Sequence, residues 1–205
     1  VVDVVAIQRG TGDPQRVIII QGHLDSRISD VMNFTADAPG ANDDASGVAV
    51  VMETARVLSK RSFSATLVYA ALSGEEQGLL GGRILAEYAK VHGWQVLAVL
   101  NNDIVGNTRG LAQTVENRVR IFSEGVRSLE SDAQGNARRS VGGEVDSPSR
   151  NLARYMDEIA EQHLPSFDVS MVYRRDRFGR GGDQVPMVEA GFPAVRVTEA
   201  AENYT

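Results

Sequence analysis

The stretch Arg16-Val17-Ile18-Ile19-Ile20-Gln21-Gly22-His23-Leu24-Asp25-Ser26 decides the reading of this chain. Four successive β-branched residues, Val17 to Ile20, argue for a strand buried on both faces, as in a parallel sheet covered by helices. The polarity then changes abruptly: Gly22 is followed by His23, and Asp25 stands two residues on. In open α/β sheets, sites form beyond the carboxyl ends of such strands. Two more segments repeat the pattern. The apolar run Ala65–Leu72 leads into Ser73-Gly74-Glu75-Glu76, and Gln95–Leu100 leads into Asn101-Asn102-Asp103.

Outward from these strands, hydrophobic spacing predicts the remaining elements. Val1–Gln8 reads as a strand, divided from Arg16–Gly22 by a turn over Arg9–Pro14. His23–Ala41 is a long loop. Ser46–Ser59 has helical spacing with Val50, Val51, Thr54, Val57 and Leu58 on one side. Gly78–His92 is a second helix with Leu79, Leu80, Ile84, Leu85 and Tyr88 inward. Arg118–Phe122 is a short strand. From Ser123 to Arg150 apolar residues thin out, which predicts a surface loop or irregular insertion. Pro148–His163 is a helix with Leu152, Tyr155, Met156, Ile159 and Ala160 inside. Phe167–Tyr173 is a strand, Val185–Ala190 a short helix and Ala194–Val197 a last strand. Strands alternating with helices imply one α/β domain, a mostly parallel, mixed central sheet with helices on both faces.

Composition bounds the function. The 205 residues hold 42% hydrophobic and 23% charged residues, enough for a substantial core. The formal net charge of −6 gives no reason to expect nucleic acid as a partner. The absence of cysteine excludes a disulfide framework, a thiolate metal site and a cysteine nucleophile. No apolar run approaches the roughly 20 residues that span a bilayer, and no signal-peptide pattern opens the chain. The first residues are strand-like and lack Met, as in a processed or excised domain.

Six carboxylates and one histidine fall at strand ends: His23, Asp25, Asp43, Asp44, Glu75, Glu76 and Asp103. Acids gathered this closely repel one another, and bound cations neutralise them. An oxygen-rich set with one imidazole suits zinc, cobalt or manganese, and two ions sharing a carboxylate would use this many ligands. Each group also has a simpler reading. His23 caps a turn at a strand end. Asp44 or Ser46 caps the helix that follows. Glu75 and Glu76 favour a helix start, and Asp103 forms an Asx turn. Capping does not account for Asn42, Asp43 and Asp44 in succession after Pro39-Gly40-Ala41. Neighbouring residues of an extended segment point apart, so one of Glu75 and Glu76 can ligate a cation while the other acts as a general base.

Together, Gly22-His23-Leu24-Asp25-Ser26, Gly40-Ala41-Asn42-Asp43-Asp44-Ala45-Ser46-Gly47, Glu75-Glu76-Gln77-Gly78-Leu79-Leu80-Gly81-Gly82 and Asn102-Asp103 resemble the M28 family of di-zinc metallopeptidases, which includes bacterial leucyl aminopeptidases. Gly82 replaces the usual serine. The resemblance is close over residues 16–110 and weaker at Gly181-Gly182-Asp183 and Gly191-Phe192-Pro193-Ala194-Val195. It implies two zinc ions: His23 and Asp103 on one, Glu76 on the other and Asp43 bridging. It also implies that Glu75 is the general base, that Asp25 orients His23, that Asp44 supports the site, and that the Asp43–Asp44 peptide is cis. A fifth ligand, a histidine, is expected beyond Thr205, so the natural chain is expected to continue. His92 and His163 read as helix-end residues, and Asp183 and Gln184 as rim or capping residues. The basic stretch Tyr173–Arg180 is either a solvated loop or a binder of a substrate carboxylate through Arg174, and Tyr204 is a candidate oxyanion donor. The expected activity is removal of N-terminal residues from a peptide with a free N-terminus. The alternatives are another amide hydrolase or a glutaminyl cyclase on the same fold, or a non-catalytic interaction module. The resemblance favours a periplasmic or secreted location. Oligomeric state is not legible.

Overall fold

The structure is a computed structural model that describes residues 1–143, 146–177 and 179–202. Along the chain come β1 (Val4–Gln8), β2 (Asp13–His23), α1 (Ala45–Leu58), β3 (Ala65–Leu72), α2 (Leu80–Val91), β4 (Gln95–Asn102), β5 (Arg118–Phe122), α3 (Asp132–Ser140), α4 (Pro148–His163), β6 (Asp168–Val172), α5 (Gln184–Glu189) and β7 (Ala194–Glu199). The strands form one seven-stranded sheet in the order β1-β3-β2-β4-β7-β5-β6. The centre is parallel: β2 pairs with β3 and β4, and β4 with β7. Antiparallel pairing enters on either side of it, where β1 meets β3 and β5 meets β7.

Side-chain alternation along β2 divides the core into two layers. Val17 and Ile19 pack with Leu85, Ala86 and Ala89 of α2 and Met187 and Val188 of α5. Ile18 and Ile20 point the other way, toward Val51, Ala55 and Leu58 of α1. On that same side α4 lays Ala153, Leu152 and Met156 on Ile121 and Val195. Helices thus cover both faces.

Several expectations need correction. β2 starts at Asp13, inside the predicted turn, and its register shifts between Asp13 and Val17, where Pro14 cannot donate to the ladder. The predicted surface loop over 123–150 contains α3, which buries only Gly135. Its stability is local. Ser131 Oγ accepts from Gln134 N at 3.3 Å, and Gln134 Oε1 accepts from Ser131 N at 2.9 Å. This capping box needs no apolar stripe. The inward faces of the long helices agree with the predicted ones only in part: Val51, Leu85 and Ala160 are buried and Leu152 and Met156 pack on the sheet, whereas other predicted positions are exposed. α1 buries Gly47 and Val51 and exposes Val50 and Val57. α2 buries Gly81, Gly82, Leu85, Ala86 and Ala89 and exposes Ile84 and Tyr88. α4 buries Ala153 and Ala160 and leaves Tyr155 60% exposed. In α2 the contact runs through Gly81, Gly82, Ala86 and Ala89 beside Leu85, and Ile84 and Tyr88 fall on the flank.

Ile19→Ala should cost about 2–5 kcal/mol, because a fully enclosed side chain leaves a cavity. Tyr155→Ala should change stability by no more than about 0.5 kcal/mol. Urea unfolding of the two variants checks the difference between these positions.

Candidate metal centre

The parallel register sets strand ends level at one rim of the sheet. His23 is paired with Leu72, the last residues of β2 and β3, and Gln21 lies beside Asn101 of β4. Each strand then sheds a polar loop at that rim. Beneath it, Gln21 Nε2 donates to Asn101 Oδ1 at 3.0 Å, and Asn101 Nδ2 donates to Gln184 Oε1 at 3.3 Å. This buried ladder floors the site.

His23 is 2% exposed, with Nε2 3.1 Å from Asp43 Oδ1 and 3.9 Å from Asp103 Oδ1. One donor atom from each of His23, Asp43 and Asp103 lies within 4.8 Å of the others. That triangle admits one ion at metal–ligand distances of about 2 Å. Asp43 precedes Asp44 through a cis peptide bond. Glu75 and Glu76 line the same cavity of about 230 Å³. Glu76 Oε2 lies 2.8 Å from Arg27 Nε, and it does not join the donor triangle.

Two aspartates hold these groups in place. The Asp44 carboxylate caps α1 by accepting from Gly47 N at 3.0 Å, and it also accepts from His23 N at 3.0 Å and Ile104 N at 3.1 Å. Asp25 meets His23 through its backbone. His23 Nδ1 lies 2.9 Å from the Asp25 backbone carbonyl, while the Asp25 carboxylate is 3.8 Å away. That carboxylate instead accepts from the N–H groups of Gly74, Glu75 and Glu76 at 2.8, 3.1 and 3.0 Å. It therefore shapes the turn that presents both glutamates.

The acids at this rim crowd one another. Burial pushes Glu75 up to about 9, with Asp103 adding repulsion. Burial and Asp103 likewise raise Asp44 to about 8. Burial raises Glu76 as well, aided by Asp43 and opposed by Arg27. Burial alone would lower His23, but its hydrogen bond to Asp43 and the nearby Asp103, Asp44 and Glu75 raise it to about 11. Asp43 moves down despite burial, because His23, Arg196 and Arg177 favour its ionised form.

Asp183 stands at the N-cap position of α5 without a capping hydrogen bond, and Gln184 is buried in the floor, so neither lies on the rim. Arg174 pairs with Asp176 Oδ1 at 3.1 Å and does not line the cavity; Arg177 and Arg180 of the same stretch do. Tyr204 lies outside the described residues. His92 and His163 are exposed at helix ends, as expected. Three contributors escaped the sequence reading. Arg196 donates to Asp103 Oδ1 at 2.8 Å, Arg27 holds Glu76, and Glu199 Oε2 accepts from Asn42 Nδ2 at 2.8 Å beside Asp43. A signal existed for Glu199, an acid at the carboxyl end of a central strand like the others.

A parallel-centred α/β sheet with a His/Asp/Asp triangle at its carboxyl rim offers a candidate divalent-cation site. A family model described as Peptidase family M28 matches residues 3–205, and the chain belongs to that family. A protein named "probable zinc metalloprotease" from Leptosphaeria maculans is 48% identical over 203 residues, covering 98% of this chain and 47% of its own length. The chain thus spans just under half of that relative. Among solved structures, the LapA aminopeptidase of Legionella pneumophila superposes with a TM-score of 0.64 at 21% identity, covering 97% of this chain and 44% of that one. BSAP, a zinc aminopeptidase from Bacillus subtilis, gives 0.63 at 20% identity, covering 96% of this chain and 39% of that one. At this identity the likeness is one of fold.

The pKa directions set a pH dependence for the metal-free protein. Folded Asp44 and Glu75 hold protons far above their ordinary values of 3.8 and 4.5, so ionising them penalises the fold increasingly from about pH 4 to about pH 9. His23 contributes stability that is full below 6.5 and lost toward about 11. All three act in one direction. With chelator present, the urea midpoint should fall steadily from about pH 5 to about pH 9, and zinc should flatten the fall. A midpoint that rises over that window would contradict these assignments.

Proposed function

We propose that this chain carries the catalytic site of a zinc-dependent aminopeptidase, which removes N-terminal residues from peptides with a free N-terminus. The observation that supports it most is the convergence of His23 Nε2, Asp43 and Asp103, with Glu75 in the same cavity but outside the donor triangle. The donor set fits zinc, with cobalt or manganese as substitutes. It also fits electrically, since a cation offsets the burial and repulsion that keep Glu75 and Asp44 protonated. His23, Asp43 and Asp103 would hold that ion. For a second zinc, also part of our reading, Glu76 would supply a carboxylate next to Asp43 once Arg27 lets go.

When bound, the metal supplies a water of lowered pKa and a Lewis acid for the scissile carbonyl. Glu75 takes a proton from the attacking water onto its carboxylate and returns it to the departing amine. The Asp25 carboxylate keeps Glu75 at its post through the backbone of the turn. The Asp25 carbonyl holds the His23 ring so that Nε2 faces Asp43.

In the full-length protein, Glu75→Gln should lower kcat by about 10²–10⁴-fold with bound zinc unchanged by elemental analysis. Asp43→Ala should lose the zinc itself. A Glu75→Gln variant with a near-normal rate would overturn the base assignment. A substrate panel separates the rival chemistries. Hydrolysis of aminoacyl anilides supports the aminopeptidase, preference for N-acylated peptides another amide hydrolase, and cyclisation of N-terminal glutamine a cyclase. A protein that binds no metal and cuts none of them would be an interaction module.

A further inference from the structure

We propose that the arginines around the donor triangle form a receptor for a carboxylate on the substrate, carried within a residue or two of the scissile bond. The proposal rests on the peptidase reading above and names the substrate class within it. A pocket for an aliphatic side chain is lined mainly by apolar groups. This cavity is not. Arg27, Arg177, Arg180 and Arg196 line it, and its one large apolar side chain among the described residues is Leu79.

The four guanidinium groups that line the cavity differ in their partners. Arg196 and Arg27 are paired with Asp103 and Glu76. Arg177 is held by Glu202 and stands near enough to Asp43 to favour its ionised form. The Arg180 side chain has no hydrogen bond or ion pair with the described residues. The two lie side by side, with reciprocal backbone hydrogen bonds of 2.9 and 2.8 Å across a tight turn. Both residues line the cavity, and Arg180 is the one whose guanidinium is open to a carboxylate.

The carboxylate has two possible sources: an acidic side chain on the N-terminal residue, or the free C-terminus of a very short peptide. Neutral isosteres separate them. In the zinc-loaded full-length protein, kcat/KM is compared for glutamyl against glutaminyl anilide, and for Leu-Gly against Leu-glycinamide. At least one anionic member should be favoured tenfold or more, and the pair that shows the preference names the source. Arg180→Glu should cut that preference at least tenfold. Calorimetry on the zinc-loaded Glu75→Gln variant reads binding with turnover suppressed: L-glutamate or Leu-Gly should bind at least tenfold more tightly than its amide, and weaken as salt is raised. If every amide is bound and cut as well as its acid, and Arg180→Glu changes no ratio, the receptor is refuted while the aminopeptidase stands. If no anilide or dipeptide is cut, the aminopeptidase reading fails, and calorimetry still decides whether the carboxylate is recognised.

Discussion

One buried carboxylate ties together the parts of this molecule that matter for function. Asp44 is 1% exposed and accepts backbone N–H groups from the end of β2, the first turn of α1 and the segment after β4. Those are the three places from which His23, Asp43 and Asp103 approach one another. The tie forces close packing around it. A Cβ on Gly47 would lie 2.4 Å from an Asp44 oxygen and 2.2 Å from the Asn102 carbonyl, and one on Gly22 would lie 3.0 Å from Asp44 Oδ2. The glycines preceding His23 and following Ser46 are therefore required by the same carboxylate. Asp25 repeats the arrangement for the glutamate turn. Asp44 thus positions the donor triangle and Asp25 the two glutamates, through backbone amides rather than side-chain contacts.

This economy has an electrostatic consequence. Burying that many acids at one rim disfavours their ionised forms, and Glu75, Glu76 and Asp44 all shift upward for that reason. The guanidinium groups of Arg196 and Arg27 relieve part of the repulsion. On the proposed metal-binding reading a cation would relieve the rest, which would couple metal affinity to fold stability at this rim.

The sheet was legible because its signals are local and redundant. Val17 to Ile20 could only be a doubly covered strand, and Ala65–Leu72 has the predicted bounds. The candidate ligands were legible for the same reason, since each ends a strand whose polarity breaks sharply. Helix faces were legible only in part. Counting large apolar residues found Leu85 but also pointed to Ile84 and Tyr88, whereas the rest of the contact is made by Gly81, Gly82, Ala86 and Ala89. Nothing in one sequence distinguishes a close helix contact through small residues from a weak stripe. Arg196 was hidden in the run Ala194-Val195-Arg196-Val197, which reads as an ordinary strand; its partner Asp103 becomes visible only when β4 and β7 are set in register. Arg27 pairs with Glu76 across 49 positions of chain for the same reason.

The two arginine–ligand pairs differ in a way that bears on how the site fills. Arg196 and Asp103 are both almost wholly enclosed, at 2% and 3% side-chain exposure. Separating them would strand a buried charge, which costs several kcal/mol, so a cation entering the triangle must share Asp103 with its arginine. Arg27 is 31% exposed and sits on the long loop after β2. It can swing into water at little cost and free Glu76. The His23–Asp43–Asp103 triangle is therefore formed in advance, whereas any site using Glu76 must first break an ion pair. On the proposed two-ion reading, the ions bind in order, with the triangle first.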